Sequence, residues 1–180
     1  MPRSIAIALV LLVASLIGTV YFYGKAHEST LSPQAVAQAI PPQHLDRPAP
    51  AFHADTLDGR QVDLADFAGK PLLINFFASW CPPCRQDAPR IAALARGYRG
   101  RVQVVGVAGA DSRSGVDRFI SRYGWHFPIL WDPHYALFTT FGIANQPVTF
   151  IVDAQGLIRE RFLGPVDLPE ARQTLNGLVG

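Results

Sequence analysis

Apolar and polar positions follow two regimes along this chain. From Ile5 to Tyr23 no charge interrupts the apolar run. At ~1.5 Å per residue a helix of that length reaches about 28 Å, close to the ~30 Å hydrocarbon core of a bilayer. Downstream, short apolar runs alternate with amphipathic stretches. Leu72–Phe77 and Val102–Val107 are short and largely apolar, the pattern of strands buried on both faces. Between them Ala88, Ile91, Leu94 and Ala95 form a stripe at helical spacing that Gly97 ends. Gly115–Tyr123 predicts a second amphipathic helix, with Ser112 or Ser114 as its cap and Gly124 as its stop. Phe127–Trp131 predicts a short strand and Tyr135–Phe141 a short helix. Val148–Val152 and Leu157–Leu163 predict strands joined by the turn Asp153-Ala154-Gln155-Gly156, and Pro169–Leu178 a closing helix capped by Asp167. Earlier, Ala51–Leu64 carries two short apolar runs around Asp58-Gly59, a hairpin signal. Strands alternating with helices argue for an α/β domain, and the late hairpin makes its sheet mixed.

These patterns divide the chain into an N-terminal transmembrane signal anchor (1–24), a linker (25–47) and one domain (48–180). The linker is rich in Ala, Pro, Gln and Ser, with room for a helical turn or two in Ser32–Ile40. A cleaved signal peptide has a shorter apolar core, roughly 7–15 residues, ending at a small-x-small site. Tyr21-Phe22-Tyr23 suits an interfacial anchor better than a cleavage site. The expected topology is a single-pass membrane protein. Net charge is +2 with both signs interspersed, which argues against a nucleic-acid surface or a polybasic membrane patch.

The only two cysteines are Cys81 and Cys84, placed where the apolar run Leu72–Phe77 meets the proline-led start of the first helix. Pro82 and Pro83 occupy a first turn, where missing N–H groups cost least. Cys81 is then the N-cap, where free N–H groups and the helix dipole favour thiolate; comparable sites have pKa values of roughly 3.5–7.5. A nucleophile there should be partly exposed. Cys84, one turn in, is placed to attack a mixed disulfide on Cys81. A structural disulfide closing so short a loop would constrain the unfolded chain little, and zinc would need two further ligands. The arginines Arg90, Arg96, Arg99 and Arg101 read as a solvated face. His44, His53, His126 and His134 are scattered and read as surface or satisfied core. Gly106–Asp111 reads as a strand-to-loop exit, without the Lys and spacing of a phosphate cradle.

Trp80-Cys81-Pro82-Pro83-Cys84 resembles the W-C-x-P-C active site of the thioredoxin superfamily, and Pro89 matches its kinking helix proline. Gln146-Pro147 followed by Val148–Asp153 is similar to the segment whose cis-proline faces the dithiol. Ala51-Phe52, Leu57-Asp58-Gly59 and Leu64–Pro71 resemble the N-terminal extension of the TlpA/ResA/DsbE-like branch. Val105–Asp111 and Arg118–Gly124 are similar to secreted DsbE-like proteins of actinobacteria, some of which are thought to oxidise their substrates. The fold implied is a thioredoxin-like α/β domain: a central mixed β-sheet flanked by helices, with an N-terminal β-hairpin extension.

The resemblance implies thiol–disulfide exchange on exported proteins, without a cofactor beyond a redox-active Cys81–Cys84 disulfide and without a metal. The domain would be extracytoplasmic, and a membrane redox partner would reset the dithiol. One version is a reductase, for example of apocytochrome c thiols before haem attachment; the alternative is a DsbE-like disulfide-forming oxidase. A copper chaperone is a further class, requiring His126 or His134 to reach the cysteines. Peroxidases of the peroxiredoxin type carry P-x-x-x-T-x-x-C, and here Ile74 and Ala78 occupy the Pro and Thr positions. In the implied site Cys81 attacks and Cys84 resolves. Trp80 shapes the rim, and Pro82 and Pro83 tune the thiols by removing N–H groups. The backbone of Gln146, before a cis Pro147, pairs with a substrate's extended chain. Asp87 either carries the proton of Cys84 or serves the helix dipole as a first-turn acid. Asn75 stands where thioredoxin has a buried acid.

Overall fold

The computed structural model describes Ser15 and residues 42–180. The chain divides into two compact units, Met1–Ala35 and Val36–Gly180. Of the first, only Ser15 is described, helical and exposed. The expected anchor Ile5–Tyr23 and the turns of Ser32–Ile40 otherwise lie outside the described residues. Among the described residues no helix is long and apolar enough to cross a membrane.

The second unit contains strands β1 (Gln43–Pro48), β2 (His53–Asp55), β3 (Gln61–Asp63) and β4 (Leu72–Phe77). Helix α1 (Pro82–Gly97) leads to β5 (Gln103–Gly109), and α2 (Arg113–Tyr123) to β6 (Ile129–Asp132). Then come α3 (Ala136–Thr140), β7 (Val148–Val152), β8 (Leu157–Leu163) and α4 (Leu168–Val179). Six strands form one sheet in the order β1-β8-β7-β4-β5-β6, and β2 with β3 forms the separate hairpin. β4 runs parallel to β5 and antiparallel to β7, so the sheet is mixed as expected. The strand β4 is central because it alternates between two apolar faces. Leu73 and Phe77 join the core under α1, α2 and α4, while Leu72, Ile74 and Phe76 join the core under the hairpin and α3. All six of its residues are buried, which an exposed or edge strand could not explain.

Helix boundaries follow their caps. Ser112 accepts from the Gly115 N–H at 3.1 Å and starts α2. Gly124, with φ +64°, ends it in the left-handed conformation that glycine adopts without a Cβ clash. Asp167 accepts from Glu170 N–H at 3.0 Å and starts α4. Helix α1 continues through Pro89 to Gly97.

The sheet begins earlier than the sequence predicts. The end of the expected linker is strand β1, antiparallel to β8 at the sheet edge. Its sequence, Gln-His-Leu-Asp-Arg-Pro, has a single large apolar side chain, so its hydrophobic pattern carries no strand signal. Tertiary contacts hold it instead. His44 Nδ1 meets the buried Glu160 Oε2 at 2.9 Å, and Arg159 bridges Asp46 and Asp153 at 2.7 Å each. Glu160 also accepts from Thr174 Oγ1 at 3.3 Å, and burial pushes its carboxyl upward in pKa. Removing the imidazole leaves this buried carboxylate with Thr174 Oγ1 as its remaining side-chain partner. His44→Ala should therefore cost about 1–3 kcal/mol, read as a lower urea midpoint with an unchanged m-value.

Candidate active site

The buried strand β4 delivers the chain to Ala78-Ser79-Trp80, and Cys81 is the N-cap of α1. Because Pro82 and Pro83 have no N–H, the first backbone donor available to the Cys81 sulfur is that of Cys84, at 3.3 Å. The two cysteines are joined by a disulfide, with Cα atoms 5.3 Å apart. Cys81 is not partly exposed as the sequence predicts. It is 3% exposed, and Cys84 is 2% exposed. The reason is a loop distant in sequence. Cys81 Sγ lies 3.8 Å from the carbonyl oxygen of Gln146, and the Gln146–Pro147 peptide bond is cis. That carbonyl therefore stands beside the sulfur, at the start of β7.

Trp80 is 51% exposed, and its indole N–H donates to the Ala110 carbonyl at 3.2 Å. Ala110 itself sits at φ +40°, a conformation that costs a non-glycine residue of order 1–3 kcal/mol and is concentrated at functional sites. Next to it, Asp111 accepts from the Ser79 N–H, from Ser79 Oγ at 2.9 Å and from the Ser112 N–H at 2.7 Å. Arg85 Nε donates to the Ser79 carbonyl at 2.8 Å. Gly115 permits the approach of α2, since a Cβ there would lie 2.7 Å from Ser79 Oγ. Asp111 and Arg85 thus clamp the turn that carries the cysteines. Neither role is signalled by the local pattern of the chain, beyond an acid directly after a buried strand and beside a serine cap.

Below the disulfide lies a buried polar pair. Asn75 shares the face of β4 that packs against α1, and its Nδ2 donates to Thr149 Oγ1 at 2.9 Å, its register partner on β7. Asp87, one helical turn beyond Cys84, is 1% exposed. Its Oδ1 accepts from the Val166 N–H at 2.9 Å, while Oδ2 is buried without a partner. Burial pushes this carboxyl up to about 7, against the Val166 N–H, the charge of Arg90 and the Asn75 amide, which lower it. Asp87 is the sixth residue of α1, past the first turn in which an acid would meet the helix dipole.

The histidines are dispersed. His53 pairs with Asp63 at 2.8 Å on the hairpin, His134 is exposed after β6, and His126 lines a groove with Ala92, Arg96 and Phe127. Among the described residues the one cluster with metal-ligand geometry is His44, Glu160 and Glu170, which includes neither cysteine.

Comparison with known proteins matches this arrangement. The chain is 37% identical over 131 residues to the thiol:disulfide interchange protein DsbE of Allochromatium vinosum, covering 71% of each. It is 34% identical over 131 residues to the thioredoxin-like protein YneN of Bacillus subtilis, covering 71% of this chain and 76% of that one. With the thiol-disulfide oxidoreductase ResA of Bacillus anthracis it shares 28% over 121 residues, covering 67% and 70%. Among solved structures, DsbF of Mycobacterium tuberculosis superposes with a TM-score of 0.66 at 31% identity, over 71% of this chain and 94% of that one. A secreted disulfide oxidoreductase of the same organism gives 0.65 at 26%, over 71% and 96%. The sequence model of the AhpC/TSA family matches residues 45–161. The chain thus belongs to the AhpC/TSA family, and its relatives there are named as thiol–disulfide oxidoreductases.

Proposed function

We propose that this chain exchanges thiols and disulfides on exported proteins, with Cys81 as the attacking sulfur and net flow toward reduction of the client. The observation that carries this is the placement of Cys81 Sγ at the N-cap of α1, between the Cys84 N–H and the Gln146 carbonyl. In the reduced enzyme the Cys81 thiolate attacks one client sulfur. The client S–S bond breaks, and its second sulfur leaves as thiolate. Cys84 then loses its proton and attacks Cys81. The mixed disulfide breaks, the Cys81–Cys84 bond forms, and two electrons have passed to the client. Asp87 takes the Cys84 proton: it lies on the same face of α1, is held near neutrality by burial, and has an unpartnered oxygen. Gln146 offers its carbonyl to the client backbone beside the reacting sulfur.

The direction follows from how little the thiolate gains. With Pro82 and Pro83 removing two donors, one backbone N–H serves the sulfur. A weakly stabilised thiolate makes the dithiol form the less stable one and the pair a reductant. Measured against glutathione, the potential should fall nearer thioredoxin's ~−270 mV than the ~−120 mV of a strong oxidant. A value at the oxidising end would replace this reading by the oxidase one. The extracytoplasmic setting rests on the Ile5–Tyr23 run and on the likeness to a secreted disulfide oxidoreductase. Resetting the enzyme then requires a dithiol donor on the same side of the membrane.

A further inference from the structure

Beside the dithiol, α2 and the start of α1 enclose a groove of about 420 Å³ whose rim carries Arg85, Arg118 and Arg122. Ser79 reaches it from the clamped turn, and Phe119 and Tyr123 line it with rings 4.8 Å apart. All three arginines are exposed, and among the described residues none forms an ion pair. Arg118 and Arg122 are four residues apart on one helix face, a like-charge pair that destabilises an isolated helix by a few tenths of a kcal/mol. No acid stands three or four residues from either on α2 to relieve it. Arg122 lies 5.9 Å over the Tyr123 ring. The nearest carboxylate on the turn, Asp111, is spent on Ser79 and Ser112. Elsewhere on this domain, among the described residues, two arginines find acids: Arg60 pairs with Asp58, and Arg159 with Asp46 and Asp153.

The arrangement is a cationic, aromatic-lined groove with three exposed charges free to meet an acid from outside. Its position points to the molecule that supplies that acid. Arg85 directly follows Cys84 and is bonded to the turn that precedes Cys81, so the groove adjoins the turn that carries the dithiol. We propose that Arg85, Arg118 and Arg122 select protein substrates bearing an acidic segment beside the reacting cysteine. This rests on the exchange activity proposed above and adds its specificity. The acidic segment lies along α2 while the client backbone meets Gln146, so the two sides of Cys81 read charge and main chain separately. Such charges act chiefly on encounter rate and fade with salt.

The test uses the full-length reduced protein in neutral detergent and three disulfide-bridged peptides. They differ only in whether the residues flanking cysteine are Glu, Gln or Lys. The second-order rate constant for the acidic peptide should exceed that for the neutral one by about tenfold at low ionic strength, with the basic peptide slowest. The spread should collapse at high salt, and the order should invert in R118E/R122E. Affinities of cysteine-free versions of the peptides for the oxidised protein should rank in the same order. Equal rates for the three peptides, or a preference indifferent to salt, overturns the proposal, and the wild-type salt series decides it even if the double variant is unstable. If no peptide exchanges but the affinities keep their order, the groove stands and the exchange reading falls.

Discussion

Cys84→Ser should convert the protein into a covalent trap, accumulating mixed disulfides with its clients, whereas Cys81→Ser should form none. The asymmetry comes from the helix start. Cys81 precedes the first helical residue and receives the Cys84 N–H. Cys84 lies inside the first turn, placed to reach a sulfur already attached to Cys81. Without Cys84 the first displacement proceeds and the second cannot. Without Cys81 turnover falls to background, a loss on the order of 10³-fold or more, the scale seen when an enzyme loses its nucleophile. Non-reducing electrophoresis and mass spectrometry of the serine variants incubated with an oxidised client read both results. Insulin reduction retained by Cys81→Ser would reassign the attacking sulfur.

Asp87→Asn should make the oxidised protein more stable above neutral pH and the enzyme slower. In the folded state burial holds Asp87 protonated up to about 7, against 3.8 for the free group. Between these values the unfolded chain has lost a proton that the folded chain keeps, so stability falls as pH rises from about 4 to about 7 and then levels off. The gap of about three pH units, at about 1.4 kcal/mol each, makes this penalty roughly 4 kcal/mol at pH 8. Asn keeps the oxygen that accepts from Val166 N–H and never ionises. Urea midpoints at pH 4.5 and 8 should therefore differ far less in the variant than in the wild type. The same substitution removes the proton acceptor for Cys84, so resolution of the mixed disulfide should slow by about 10². Equal pH slopes for the two proteins would show that Asp87 ionises freely. An unchanged resolution rate in the variant would remove Asp87 from the proton path. A buried acid that costs stability and speeds a step fits a functional site better than a structural one.

Much of this architecture could be read from local patterns. The six residues of β4 stand out because burial on two faces leaves five of them apolar, Asn75 being the exception. Helix α2 was bounded within two residues by a serine cap and a glycine stop, since caps are chemistry of the neighbouring residues themselves. The cysteines announced a helix N-terminus because two prolines tolerate few other places. Where the pattern was silent, the element was held from a distance. Strand β1 pairs with β8 across more than a hundred residues, and its one acid, arginine and histidine carry no hydrophobic rhythm.

The sequence by itself determined the order of strands and helices after β1, the caps, and the dithiol at the start of α1, because each depends on side chains within a turn or two. Tertiary structure alone decided that Cys81 is covered by Gln146, that Asp111 and Arg85 grip the turn, that Asp87 is sealed away from water, and that three arginines share one groove. Burial and charge complementarity are properties of surfaces brought together from distant segments. Cys81 and Gln146, Ser79 and Asp111, and Asp87 and Val166 are distant in sequence, so no local window contains both partners.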